Sequence, residues 1–216
     1  MIAPGCRSFT ALGLFLITGV ALAGCGEALP AEPVGVSQSA ITLETARIRA
    51  LLEEGAEGDP GFLLKRVGGP LLENFNETLA YDPASSIKIV VGVSLLRRID
   101  AGAAFNLDTS VSHFFEVSGS CPIGSGGSES RTLGDLLNAM LVFSDNAATR
   151  TLIDFLGGFS AINATAQSIG MTSTSMVVYP GCHILNTITQ SDAARLYEEV
   201  ANGTLLSPAS RAVLFA

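Results

Sequence analysis

The chain has 216 residues, a formal net charge of −8 at neutral pH and 48% hydrophobic residues. That acidic balance, without any clustered run of Lys or Arg, argues against a nucleic-acid partner. Beyond the N-terminus no apolar run is long enough to span a bilayer.

Residues 1–24 read as an export signal: Arg7 is a thin positive region, "FTALGLFLITGVALA" an apolar core, and Ala23 and Gly24 supply small residues at its end. "LAGC", Leu22 to Cys25, resembles the lipobox of bacterial lipoproteins. The resemblance implies cleavage before Cys25, lipid on its thiol, and a membrane-anchored protein of the cell envelope or periplasm. An ordinary secretory signal is the alternative, and either way the mature protein is exported. Roughly 190 residues then remain, enough for one domain with its own core. Residues 25–43, rich in Pro, Ala, Gly and Ser after Cys25, read as a flexible tether, which leaves 44–216 as the domain. With Cys6 removed and Cys25 lipidated, Cys121 and Cys182 remain, and two thiols in an exported domain suggest one disulfide. No Cys-x-x-Cys or His-x-x-x-His spacing accompanies them, so neither a metal nor a cofactor is expected.

"ETARIRALLEEG", 44–55, has helical periodicity and ends on a glycine. "GFLLKRV" and "LLENFNETLAY", joined by Gly68-Gly69-Pro70, predict a β-hairpin. "SSIKIVVGVSLLRRIDAG" predicts a buried helix that stops at Gly102. At its mouth Ser85 precedes Lys88 by three residues, which places both side chains on one helix face. An ammonium beside a hydroxyl can activate a nucleophile; a capped helix start with a solvated lysine is the plain alternative. A Ser/Gly-rich loop spans 118–130 and contains Cys121. "TLGDLLNAMLVF" starts on a Thr cap with Asp135 at the third helical position, and "SDNAATRTLIDFLGG" closes on two glycines. "SAINATAQSIG", "TQSDAARLYEEVANG" and "SPASRAVLFA" add helices, with a loop containing "YPGCHILN" before the last two. One hairpin against six or seven helices is a thin sheet, because two strands alone are marginal.

Ser144-Asp145-Asn146 brings a hydroxyl, a carboxylate and an amide together where an apolar helix ends. Alone it reads as a helix cap. S-x-x-K followed by S-D-N, however, is the motif order of class A β-lactamases and penicillin-binding proteins. The chain resembles the class A β-lactamase family from the hairpin through "SPASR", notably in "LLRRIDAG", "SDNAATRTLIDFLGG" and "NTITQSDAARLYEEVANGTLLSPASR". The resemblance implies an α/β fold of the β-lactamase/transpeptidase type, a helical cluster packed on an antiparallel sheet. It implies Ser85 as nucleophile, Lys88 as base or electrostatic activator, Ser144 as proton shuttle, and Asn146 as the residue holding a substrate amide. Asp145 would brace the turn, and the Ser85 N–H would be one oxyanion donor. Implied substrates are a β-lactam or a peptidoglycan-derived amide.

Two features depart from the family pattern. Its third motif is K-T-G, whereas the two lysines here, Lys65 and Lys88, precede Arg66-Val67 and Ile89-Val90. In the family that strand follows helices like "SPASRAVLFA", so the reading expects the C-terminal strands to be missing from this chain, and expects the chain to be unstable and inactive by itself. The family also hydrolyses its acyl-enzyme with a loop glutamate acting through water, yet no Asp or Glu lies between Asp154 and Asp192. His183 is the possible replacement base in that loop, and slow deacylation is expected. His113, ahead of two phenylalanines, reads as a packed histidine. The rivals are a D,D-peptidase or other penicillin-binding serine hydrolase, and a non-catalytic envelope lipoprotein that keeps the fold for binding.

Overall fold

The computed structural model describes residues 38–55, 58–114, 127–182 and 185–215. The export signal, the lipobox, Cys121 and His183 lie outside them. Seven α-helices and two antiparallel strand pairs make up the described architecture. Helix α1 (Gln38–Gly55) precedes strands β1 (Phe62–Lys65) and β2 (Leu71–Phe75), which form the expected hairpin. The helix starts before Glu44, so its first turns take in residues 38–43 that read as tether. Arg49 lays its guanidinium 3.9 Å over the Phe75 ring, which fastens α1 to the hairpin.

Helix α2 (Lys88–Asp100) is the centre of the domain. Eight of its residues, from Lys88 to Leu96, are buried, as suits a helix apolar nearly all round. Gly92 lets neighbours approach: a Cβ there would lie 3.3 Å from Leu137 and 3.4 Å from Leu214. These residues belong to α3 (Leu133–Val142) and α7 (Pro208–Phe215). The one polar side chain in the middle of α2, Ser94, donates back to Val90 O at 2.8 Å and is thereby satisfied. Helices α4 (Asn146–Phe155) and α5 (Gly158–Ser168) cover the remaining flanks, with Leu152, Ile153 and Ile162 fully buried.

Side-chain caps hold three helix starts, two of them at positions that read as caps in the sequence. The Thr132 hydroxyl accepts from Asp135 N at 3.0 Å, and Asp145 Oδ1 accepts from Ala148 N at 2.8 Å. Thr189 does the same for α6 (Gln190–Asn202), which stops where Gly203 turns left-handed at φ 73°. At the far end of α2, Asp100 accepts from Ser207 N, Ser207 Oγ and Ser210 Oγ, each at 2.7 Å. This ties the C-terminus of α2 to the start of α7.

The structure corrects the strand inventory. Ser110–Phe114 (β3) and Ser128–Thr132 (β4) form a second antiparallel ribbon, so residues 128–130 are strand rather than loop. "SESRT" has the composition of a loop, and pairing with β3 overrides its weak strand propensity. Among the described residues no strand joins the two ribbons into one sheet. His113 on β3 is buried against α4, as expected of a packed histidine. The Thr151 hydroxyl donates to Ala147 O at 3.0 Å, so its 3.0 Å contact with His113 has the Nδ1–H donating. Burial pushes the His113 imidazole below its ordinary value, outweighing the nearby charges of Asp145 and Glu129, which act to raise it.

Candidate active site

Ser85 lies in a 3₁₀ turn, Ala84–Ile87, that leads into α2, rather than in the α-helix itself. In a 3₁₀ turn residues at i and i+3 eclipse, so the S-x-x-K spacing still stacks Ser85 and Lys88 on one side. Asp82 Oδ1 accepts from Ala84 N at 3.2 Å and Ser86 Oγ donates to Pro83 O at 2.6 Å. Ala84 takes φ 46°, a left-handed conformation that a residue with a Cβ rarely adopts. The turn leaves Ser85 exposed, whereas Lys88, one turn on, is only 3% exposed.

The second motif meets the first. Between α3 and α4 the chain reverses at Ser144, again left-handed at φ 57°, which brings three motif atoms to Lys88. Its Nζ donates to Ser144 O at 2.6 Å, to Ser144 Oγ at 2.9 Å and to Asn146 Oδ1 at 2.6 Å. Ser144 Oγ donates in turn to Ser85 Oγ at 2.9 Å. Lysine ammonium, Ser144 and Ser85 thus form one unbroken hydrogen-bond path. A charge-assisted contact to each of three acceptors is what keeps a buried ammonium tolerable. Strain at Ala84 and Ser144, each of order 1–3 kcal/mol, is the kind found where function dictates geometry. Asp145 faces away from this path and caps α4.

The third wall is the loop between α5 and α6. Backbone pairing of Ser175 with Thr187 (2.9 and 3.0 Å) closes it, and Ile188 pairs with Tyr81 just ahead of the 3₁₀ turn (2.8 and 3.0 Å). Inside, the buried Asn186 accepts from Val177 N and Val178 N and donates to Val178 O, replacing a backbone partner for the segment that turns there. Tyr179 donates to Asp154 on α4 at 2.6 Å, and the Arg150 guanidinium lies 5.3 Å from its ring. Burial, then the hydrogen bond to Asp154, pushes the Tyr179 hydroxyl above its ordinary value. Gly181, at φ 90°, lies so close to Asn146 that a Cβ would collide with the side-chain amide. Cys182 is half of a disulfide whose other half lies outside the described residues.

Two cavities meet at Ser85. One, of about 260 Å³, runs from Asp82 and Ser85 past Asn146 to Gly181, Cys182 and Asn186. The other, of about 430 Å³, is lined by Lys88, Ser144, Met140, Tyr197 and Leu214 as well as Ser85. Sequence reasoning therefore named the polar centre: Ser85, Lys88, Ser144 and Asn146 converge. It missed Asp82, Gly181 and Asn186. The Asp-Pro and Pro-Gly dipeptides signalled turns at the first two, whereas Asn186 opens a stretch that resembles the family but carried no role of its own. Among the described residues no group of three or more His, Cys, Asp or Glu side chains is placed to hold a metal ion.

Known proteins resemble the chain in sequence and in fold. D-alanyl-D-alanine carboxypeptidase DacB2 of Mycobacterium tuberculosis is 31% identical over 111 residues, 49% of this chain and 36% of the carboxypeptidase. Among solved structures, a variant of the class A β-lactamase of the last common ancestor of Gram-negative bacteria superposes with a TM-score of 0.64 at 26% identity. That alignment covers 78% of this chain and 66% of the other. A mutant of PBP-A, solved as an acyl-enzyme complex with penicillin G, is alike in fold at a TM-score of 0.68 and 24% identity, over 80% of this chain and 66% of that one. The chain thus spans a third to two thirds of the length of these relatives. Its fold is the β-lactamase/transpeptidase-like one, helices packed on small antiparallel sheets. With Ser85, Lys88, Ser144 and Asn146 joined in one hydrogen-bonded cluster and the sequence profile of the β-lactamase enzyme family matching residues 44–216, the chain belongs to the β-lactamase enzyme family.

Proposed function

We propose that the protein is a serine hydrolase that opens a β-lactam or a related amide through an acyl-enzyme on Ser85. The observation that carries this reading is the path from Lys88 Nζ through Ser144 Oγ to Ser85 Oγ. In acylation the Ser85 oxygen attacks the amide carbonyl, its proton moves into the Ser144–Lys88 path, and Ser144 returns a proton to the leaving nitrogen. Lys88 as an ammonium favours the developing alkoxide, and as an amine it accepts the proton. Because Asn146 Oδ1 is occupied by Lys88, its Nδ2–H groups are the part of that side chain that can hold a substrate carbonyl. The Ser85 N–H, at the N-terminal turn, is one donor to the oxyanion.

A D,D-peptidase acting on a peptidoglycan-derived amide is the second reading, favoured by the similarity to the carboxypeptidase. A non-catalytic binding role would not require the Lys88–Ser144–Ser85 path. Export and lipidation at Cys25 complete the proposal and put the site at the cell envelope; Cys25→Ser should move the protein from the membrane to the soluble fraction.

Intact-mass spectrometry after mixing with penicillin tests the chemistry. On the complete gene product, an adduct on the wild type, absent in Ser85→Ala, is expected. Comparing turnover of a chromogenic β-lactam with that of a D-Ala-D-Ala peptide separates the two enzymatic readings. No adduct and no turnover of either substrate would refute both.

A further inference from the structure

Hydrolysis of the acyl-enzyme needs a base for water, and the stretch between Asp154 and Asp192, which includes the loop from α5 to α6, contains no carboxylate. The structure brings one from elsewhere. We infer that Asp82 is the general base that releases the acyl group from Ser85, acting from the cavity that Lys88 does not line. The inference rests on the acyl-enzyme reading above.

Among the described residues lining the two cavities that meet at Ser85, Asp82 is the one carboxylate. It shares the smaller cavity with the nucleophile and with Asn146, while the Lys88–Ser144 path reaches Ser85 from the larger one. The two sides of the reaction are therefore divided, a proton relay on one and a carboxylate on the other. The other polar side chains described in that smaller cavity are amides, which have no useful basicity, and Asn186 is already committed to the backbone of Val177 and Val178.

The carboxylate is held in place. Its Oδ1 accepts from Ala84 N, one residue before the nucleophile, which leaves Oδ2 for water. Tyr81 on one side is pinned by two backbone bonds to Ile188, and Pro83 on the other is buried. Asp82 thus leads directly into the turn that presents Ser85, and its position is set by that turn.

In the step itself, Oδ2 of Asp82 takes a proton from a solvent water as the water oxygen bonds to the ester carbonyl carbon. The tetrahedral intermediate collapses, the bond from that carbon to Ser85 Oγ breaks, and Oγ regains a proton from Ser144. The acid leaves, and the proton on Asp82 returns through solvent to restore the relay. Ester and water become acid and serine, with no other reactant.

The test is time-resolved intact-mass spectrometry of wild type, Asp82→Asn and His183→Ala after a penicillin pulse. Asparagine keeps the acceptor for Ala84 N, so the turn should survive; Asp82→Ser, which also retains an acceptor, serves as the second variant. The expected result is acylation within a few-fold of wild type, an unchanged melting temperature, and release slowed by about 10²- to 10⁴-fold in both Asp82 variants. Release from Asp82→Asn as fast as from wild type would overturn the inference while leaving the acyl-enzyme reading intact. So would slow release only in His183→Ala, or parallel losses of acylation and stability in both Asp82 variants. No adduct on any protein would overturn both.

Discussion

Replacing Gly181 by alanine should damage acylation through a residue that carries no reacting group. The backbone there is left-handed at φ 90°, and a Cβ would lie 2.9 Å from Asn146 Cγ and 3.3 Å from its Oδ1, with the amide nitrogen closer still. Two effects follow and can be separated. The left-handed conformation itself costs an alanine about 1–2 kcal/mol of stability. The clash in addition forces the Asn146 amide off Lys88, breaking a 2.6 Å charge-assisted contact. Such bonds are worth about 1.5–3 kcal/mol, equivalent to an acylation rate roughly 10- to 150-fold lower if the contact persists into the transition state. Gly102 is the control: φ is 79°, and a Cβ there would meet nothing within 4 Å. Gly102→Ala should therefore lose similar stability and keep its acylation rate. The assay pairs urea melts with rapid-quench mass spectrometry of penicillin labelling. Wild-type labelling by Gly181→Ala, or an equal loss in Gly102→Ala, would refute the reasoning.

Three further outcomes follow from single side chains. Burial pushes the Asp100 carboxyl upward, but the bonds from Ser207 and Ser210 outweigh it and hold the group below its ordinary value. Its contribution to stability is therefore present above the ordinary carboxylate range and lost as pH falls through the lowered value, so Asp100→Asn should flatten the acid side of the urea-midpoint profile. His113 is lowered by burial from 6.5, so the unfolded chain binds a proton first; stability should fall as pH drops below about 6.5, and His113→Gln should remove that slope in melts between pH 7 and 5. Peptide mapping of the oxidised protein should find Cys182 joined to Cys121, a closure worth about 4 kcal/mol in the chain-entropy model; two free thiols, or another partner, would show the pairing to be wrong.

The caps at Thr132 and Asp145 were readable because a cap is a local bargain between one side chain and the next turn's N–H groups. The S-x-x-K and S-D-N centre was readable because its residue types are scarce: one of only two lysines stands beside a serine. What escaped depends on distant pairing. "SESRT" becomes a strand only against Ser110–Phe114. Gly181 matters only because folding lays it on Asn146, thirty-odd residues earlier, and no periodicity encodes that approach. Asp82 was hidden for the opposite reason. It sits so near the motif that its role as the capping acceptor for Ala84 is the obvious one, and only the cavity reveals a second face.

The left-handed backbone at Ala84 has a consequence for how this protein would behave under selection. A glycine there would relieve the strain of a φ of 46° and should raise the melting temperature, since the position asks for a residue without a Cβ. The same freedom would let the turn that presents Ser85 wander. A library screened for heat tolerance alone should therefore enrich glycine at position 84, and its survivors should acylate more slowly than the parent. Ruggedness and speed pull on one torsion angle, so breeding for the first selects against the second.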